Sequence, residues 1–445
     1  MTPQNAHIEN TTYDPKESAE VLLEFLTPPQ EAPQTAEGET QVLVCVGSGG
    51  VGKTTVSASL ALAAALQGKK SLVITIDPAK RLANALGFKK MGNEIFQVQP
   101  GLFEEAGLET KGSLSALMFD QKRTFDDLVD RYSPSKESAQ RLRDNPWYQQ
   151  MSTALAGAQD YMAVEKLYEL VHEKDYDLIV LDTPPTANAL DFLEAPQRML
   201  DLLNSAPVQW VQKKSGKEGG AASRFLRWGS SRILKALGKV TGKGVLEEIG
   251  VLLRDLSGLY DGFKERAQET WSLLRSERCR FFLVTAPRHD QLTEALFVQQ
   301  KLLEADIPIR GFFVNRMQGY QNRNGHWEPL PSDSIESSPD SLRDLAQRLL
   351  KTSGESGEAP VESEDELETL LEQLATHLAE QRREAEQSCE GVVFLRQQAV
   401  QTPFIGLLPA FHKEIHDLKG LAQISRIILE GGLDFPHFHS EEEVS

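Results

Sequence analysis

The segment VLVCVGSGGVGKTTVSASLALAAAL, residues 42–66, leaves room for very few folds. An apolar, β-rich run from Val42 to Val46 breaks into a glycine loop that leads straight into an Ala/Leu-rich helical stretch. Within it, Gly47-Ser48-Gly49-Gly50-Val51-Gly52-Lys53-Thr54 fits G-x-x-x-x-G-K-[ST], the phosphate-binding P-loop. Each residue type has a chemical reason. Glycines let backbone N–H groups turn inward on phosphate oxygens, and the following helix aims its positive dipole end at them. Lys53 is placed to reach the β- and γ-phosphates, and the Thr54 hydroxyl to ligate Mg²⁺. A chance glycine turn would lack the strand before and the helix after. The motif implies a nucleoside triphosphate ligand, held by Gly49, Gly50, Val51, Gly52, Lys53, Thr54 and Thr55.

The rest of the chain extends the same alternation. Gly68 can end the P-loop helix, and a buried-strand run from Ser71 to Ile76 closes on Asp77-Pro78. That is a βαβ unit, which predicts a parallel sheet with a right-handed crossover. Further strand runs occur at 176–182, 280–286, 309–315 and 402–409. The expected fold class is therefore α/β, a doubly wound and mostly parallel sheet with an inserted helical subdomain.

Around this core we expect a polar N-terminal extension over residues 1–38, with a short helix near Ser18–Leu26, and a catalytic domain over 39–430. Residues 100–175 read as helices, LSALMFDQKRTFDDLVDRY (114–132) among them, and 192–275 as a long helical insertion; together they form the helical subdomain. A polar and acidic insertion covers 318–366, in which six acids and no base fall between Thr352 and Glu366, the composition of a disordered loop. A charged helix runs from about Asp365 to Gln387, and 431–445 is an acidic tail.

Composition narrows the function. A net charge of −18 argues against a general nucleic-acid-binding or membrane-coating role, since both are polyanions. The three cysteines, Cys45, Cys279 and Cys389, are scattered and contain no CxxC, so they read as thiols in a reducing compartment. No apolar run approaches the roughly 20 residues that span a bilayer. The N-terminus has no signal-peptide pattern. A cytoplasmic protein is expected. His412-Lys413-Glu414-Ile415-His416 places its Glu one residue too late for HExxH, and His437 and His439 lie in the acidic tail; neither reads as a metal site.

Two carboxylates complete the candidate site. Asp182 ends an apolar strand before Thr-Pro-Pro-Thr, the position from which a carboxylate holds the Mg²⁺ shell in P-loop proteins. Asp77 ends the second strand, where it can orient an attacking water or cap the next helix.

Taken in order, GSGGVGKTT, DPAKRLANALG and LDTPPTANALDFLEAP resemble the deviant-Walker ATPases of the arsenical-pump and tail-anchored-protein-targeting family. The resemblance covers roughly residues 40–320, the strand at 402–409 and the turn after it, and is strongest to bacterial arsenical-pump-like members. It implies ATP hydrolysis with Asp77 activating water and Asp182 opening a switch loop. It places adenine against Asn315 and near Pro409. It also implies a nucleotide-gated dimer, with two ATPs in the interface and a helical subdomain that opens and closes.

Three departures qualify what carries over. Ser48 stands where the family's deviant motif has a lysine that reaches the partner's phosphates. A homodimer would lack both copies, so the chain would be slow, use Lys80 or Arg81 instead, or pair with a lysine-bearing paralogue. No converging thiolates suit arsenite or antimonite. The zinc-binding CxxC of eukaryotic targeting factors is absent too.

Residues 205–245 reverse the local charge, with nine Lys/Arg and one acid interleaved with Phe225, Leu226, Trp228, Ile233, Leu234 and Leu237. This basic amphipathic pattern suits a lid over an apolar protein client, a transient contact with anionic lipid, or an insertion packed on its own domain. Met118, Met151 and Met162 either line such a groove or pack in the core. The reading is a Mg²⁺-dependent ATPase doing work on a partner. Its rivals are a weakly catalytic subunit of a heterodimer and a partitioning or positioning ATPase.

Overall fold

Runs such as VLVCV and LVI put apolar side chains on both faces, so their strands must be covered on both sides. In the computed structural model they are. The structure describes residues 22–23, 25–28, 39–76, 81–86, 94–146, 148–149, 152, 158–184, 194–198, 200–201, 260–307, 309–318, 320–321, 327–328, 364–399, 404–411, 415 and 417–430. Along the chain these form β1 (Gln41–Val46), α1 (Lys53–Leu66), β2 (Lys70–Thr75), α2 (Arg81–Ala85), β3 (Phe96–Gln97), α3 (Pro100–Glu105) and β4 (Ser113–Met118). Next come α4 (Gln121–Tyr132), α5 (Lys136–Asp144), α6 (Ala158–Glu173), β5 (Leu178–Asp182), α7 (Tyr260–Leu274), β6 (Cys279–Thr285) and α8 (His289–Glu304). The last are β7 (Ile309–Met317), β8 (Tyr320–Gln321), β9 (Trp327–Glu328), α9 (Glu364–Gln398), β10 (Phe404–Pro409) and α10 (Leu418–Leu429).

Eight strands form one sheet in the order β10-β7-β6-β1-β5-β2-β4-β3. All neighbours are parallel except the edge strand β3, which pairs antiparallel with β4. The chain moves from β1 to one side of the sheet, returns through β5, then continues on the other side. The crevice this leaves at the carboxyl end of β1 is where open α/β sheets bind ligands.

Alternate residues feed two cores. Val42, Val44, Val46, Ile179 and Leu181 enter one, while Leu43, Cys45, Leu178 and Val180 enter the other. Helix α1 is buried nearly all round because it lies between the sheet and α10. Its alanines permit close approach, and the Ser425 hydroxyl of α10 donates to the Ser59 carbonyl at 2.8 Å. Leu22, Phe25 and Leu26, from the N-terminal extension, are buried in this same layer.

Three sequence expectations are corrected. Residues 114–118, read as the start of a helix, lie in β4, paired with β2 from Lys70↔Ser113 to Thr75↔Met118. A short apolar run carries no period that separates strand from helix. Its borders do: a Cβ on Gly112 would lie 2.2 Å from the Lys69 carbonyl oxygen, and Asp120 caps α4 by accepting from Arg123 N at 2.9 Å. The charged helix runs to Gln398, past Gln387, because Val392 and Leu395 are buried and Gly391 packs on the Pro287 carbonyl. It also begins at Glu364, so the end of the acidic tract is helical. Within the stretch expected to be polar loop, β8 and β9 form a small antiparallel pair.

Helices α6 and α7 are joined by a buried ion pair. Arg266 Nε donates to Glu165 Oε2 at 2.7 Å, and the Tyr161 hydroxyl donates to the other carboxylate oxygen. The Arg266 guanidinium also lies 3.9 Å from the Tyr132 ring centre. Residues 205–245, and most of the insertion from 192 to 259, lie outside the described residues.

Candidate functional site

The P-loop leaves β1 between β5 and β6 and re-enters as α1. One close approach and two left-handed glycines fix its path. A Cβ on Gly47 would stand 2.0 Å from the Val284 carbonyl oxygen of β6, so only glycine fits. Gly50 and Gly52 adopt φ of 80° and 90°, the left-handed region that glycine occupies without strain. Gly52 is the N-cap of α1 and carries no side chain, so nothing of its own blocks the amino end of that helix. Gly49 and Gly50 are exposed at the rim, Gly52, Thr54 and Thr55 are half-buried, and Val51 and Lys53 are buried. Lys53 Nζ donates to the Ser48 carbonyl at 2.8 Å, so the ammonium folds back over its own loop.

Asp182 stands beside this loop because β5 is registered with β1 and β2, pairing Cys45 and Thr75 with Asp182. The Thr54 hydroxyl donates to Asp182 Oδ2 at 2.6 Å, and the Thr75 hydroxyl donates to the same oxygen at 2.9 Å. Ile76 N donates to the Asp182 carbonyl at 3.1 Å, which ties the exit of β2 to the exit of β5. Thr54 and Asp182 are thus brought together, with an all-oxygen donor set suited to a hard divalent cation. Mg²⁺ takes few protein ligands and completes its shell with phosphate and water. No group of three or more His, Cys, Asp or Glu able to hold a metal occurs among the described residues.

Asn315, at the end of β7, donates from Nδ2 to the Val51 carbonyl at 2.8 Å. Pro409 ends β10 beside it, and Ala410 N donates to the Met317 carbonyl at 2.9 Å. Asp77 and Lys80 lie outside the described residues, as does the side chain of Arg81. Of the methionines proposed for a groove, Met118 is on a strand, Met162 is buried in the core, and Met151 is outside the described residues.

Sequence reasoning missed Thr75 and the brace from Asn315 to the loop. Thr75 carried a faint signal, two residues before Asp77 at a strand end. Thr183 was also missed; its hydroxyl donates to the Cys45 carbonyl at 2.8 Å and ties the exit of β5 to β1. Burial is the largest cause pushing the Cys45 thiol up to about 12, so it remains a neutral packing group beside the site.

Comparison with known proteins agrees with this geometry. The profile described as "Anion-transporting ATPase" matches residues 40–326, more than half of the chain. The chain belongs to the anion-transporting ATPase family. Among its relatives, an ATPase get3 of Schizosaccharomyces pombe is 25% identical over 272 residues, covering 61% of this chain and 71% of that protein. An ATPase GET3 of Malassezia globosa is 32% identical over 154 residues, 35% of this chain and 42% of the relative. An ATPase BagA of Mycobacterium tuberculosis is 29% identical over 171 residues, 36% and 47% of the two chains. The chain therefore spans less than half the length of two of these three relatives. The family match ends before α9 and β10, so both lie beyond the part of the chain that the profile describes. No helix among the described residues is long and apolar enough to cross a membrane.

Proposed function

We propose that this chain is a Mg²⁺-dependent ATP hydrolase whose nucleotide state drives a conformational change on a partner. The observation that carries the reading is the 2.6 Å bond from Thr54 to Asp182 at the mouth of a glycine loop that opens a buried helix. The Gly49–Thr55 backbone and Lys53 hold the phosphates. Thr54 and Asp182 hold Mg²⁺, which supplies charge neutralisation between the phosphates. Asp77, two residues beyond β2, orients the attacking water, and Asn315 and Pro409 stand on the base side. Residues 39–430 make up the ATPase domain, with 100–175 and 192–275 as its helical subdomain. The active form is a dimer, with 205–245 as the surface offered to an apolar client or anionic membrane, in the cytoplasm and without nucleic acid.

Turnover of ATP by the purified chain, measured with and without Mg²⁺ beside its mass by light scattering, tests this. Wild type should dimerise and hydrolyse ATP, while Asp77→Asn binds it without turnover. Equal rates for the two proteins would sink the hydrolase reading.

Ser48 favours a second reading, a nucleotide-binding subunit that turns over slowly and pairs with a lysine-bearing paralogue. Ser48 is buried, and its hydroxyl has no hydrogen-bond partner among the described residues. It supplies no cation to neutralise transition-state charge across an interface. Rescue of turnover on mixing with such a paralogue would select this alternative.

A further inference from the structure

Thr75 ends β2 with a hydroxyl where its neighbours along the strand are apolar. Leu72, Val73 and Ile74 precede it and Ile76 follows, all buried, and Thr75 itself is 1% exposed. Valine is nearly isosteric, suits a strand equally well, and would fill this place with no polar atom to bury. The hydroxyl is there for its bond: it donates to Asp182 Oδ2 at 2.9 Å.

Pleat and register set this meeting. Side chains alternate between the faces of a sheet, so Thr75 shares a face with Val73, and Asp182 with Val180. Val73 and Val180 pack in the layer that holds α1, and Thr75 and Asp182 are paired residues of β2 and β5. Asp182 Oδ2 is thus gripped from two sides: Thr54, half-buried, approaches from the phosphate loop, and Thr75 from the sheet. The two grips differ in kind. Thr54 stands on the loop that nucleotide and cation would engage, so its contacts change with loading. Thr75 is locked in the sheet, where its carbonyl accepts from Phe119 N at 3.0 Å. The next residue, Ile76, donates from N to the Asp182 carbonyl at 3.1 Å. Consecutive residues at one strand exit therefore hold both the side chain and the backbone of Asp182.

We propose that Thr75 is a positioning residue for the cation: its hydroxyl sets the Asp182 carboxylate in the orientation that the Mg²⁺ shell requires, before nucleotide arrives. This rests on the ATP reading above and adds to it a residue outside the phosphate loop that acts only through Asp182. A carboxylate preset by a fixed donor loses less side-chain freedom when the cation binds. Groups that orient a metal ligand in this way are worth roughly 10–100-fold in metal affinity.

The test is calorimetric titration of the full chain with ATP, in chelator and in Mg²⁺; the ratio of the two affinities is the Mg²⁺ gain. Wild type, Thr75→Val, Thr75→Ser, Asp182→Asn and Thr75→Val/Asp182→Asn are compared, with thermal midpoints verifying that each folds. Thr75→Ala removes the same bond and replaces the valine form if that one does not fold. Thr75→Val should bind ATP in chelator as wild type does, while its Mg²⁺ gain falls by roughly tenfold. Thr75→Ser retains the hydroxyl and should keep most of the gain. Adding Thr75→Val to Asp182→Asn should lower the remaining gain no further, since both act through one carboxylate. A full gain in Thr75→Val, equal losses in the valine and serine forms, or a further loss in the double variant overturns the assignment and leaves the ATP reading standing. So does an equal fall in affinity with and without Mg²⁺, which a merely structural hydroxyl would give. ATP binding by wild type with no Mg²⁺ gain overturns the cation site as well, and no binding at all overturns the ATP reading with it.

Discussion

The Asn315 carboxamide donates to the carbonyl of Val51 at 2.8 Å, across 264 residues of chain, and so braces the phosphate loop from the end of β7. Its oxygen accepts from Arg316 N at 2.9 Å, and Arg316 itself has φ of 63°. Asn315→Ala removes both bonds in a buried setting. Unfolding in urea should show a loss of about 1–3 kcal/mol, and ATP affinity should fall with it. Unchanged stability and affinity would mean that the brace carries nothing.

The same contact ranks the loop glycines. A Cβ on Gly52 would sit 2.3 Å from Asn315 Nδ2, in addition to the cost of φ 90°, whereas one on Gly50 meets nothing within 4 Å. Gly50→Ala should cost about 1–2 kcal/mol from backbone conformation alone, and Gly52→Ala more. Gly47→Ala runs into the Val284 backbone and should yield little folded protein. Equal urea midpoints for Gly50→Ala and Gly52→Ala would contradict this order.

Asp182→Asn keeps an oxygen for the Thr54 and Thr75 hydroxyls but removes the charge. ATP should then bind in the presence of a chelator about as in wild type, while the extra affinity conferred by Mg²⁺ falls by tenfold or more. Titrations with and without Mg²⁺ read this directly. A full Mg²⁺ effect in the variant would move the cation elsewhere.

The Glu165–Arg266 pair makes a sharper claim about the helical layer. Breaking a buried pair costs about 3–5 kcal/mol because one charge is left unmatched. Arg266→Met should lose that much, and adding Glu165→Gln should restore most of it. Burial, the largest cause, holds the Glu165 carboxyl above its ordinary value, and Arg266 opposes the shift. Without Arg266 the carboxyl rises further. Its stabilising contribution is then complete at low pH and is lost as pH climbs through the folded value. Stability curves of the single variant should therefore slope downward relative to wild type as pH rises above the ordinary carboxylate range.

Lys69 gives the opposite slope. It is buried, donates to the Phe25 carbonyl and to Gln41 Oε1, and burial lowers its pKa from 10.5 to about 8. The unfolded chain binds more protons than the folded one between those values, so stability gained above 10.5 is lost as pH falls through about 8. Denaturant unfolding across that window should rise more steeply in wild type than in Lys69→Met. Parallel curves would show that Lys69 titrates normally.

How far the sequence exposed this site follows from where each signal lies. The P-loop, Asp182 and the parallel core are legible because strand, glycine loop and helix are contiguous and chemically distinct. β4 was not legible as a strand, because its identity comes from pairing with β2 rather than from its own period. Thr75 and Asn315 escaped, in their observed contacts, for a related reason. Their partners sit on other strands, and register is a property of the assembled sheet. Leu22, Phe25 and Leu26 fall in a stretch whose average is polar, so composition concealed three residues that cover the P-loop helix layer.

One oxygen, Asp182 Oδ2, accepts from the hydroxyls of both Thr54 and Thr75, and the Asp182 backbone carbonyl accepts from Ile76. Loss of any one member alters the setting of the other two. Genetically, these positions behave as a single locus. A scan that changes them one at a time will count the same junction repeatedly, and the sum of single effects will exceed the effect of removing them together. Lesions mapped to the second strand, the fifth strand or the phosphate loop can therefore share one physical cause.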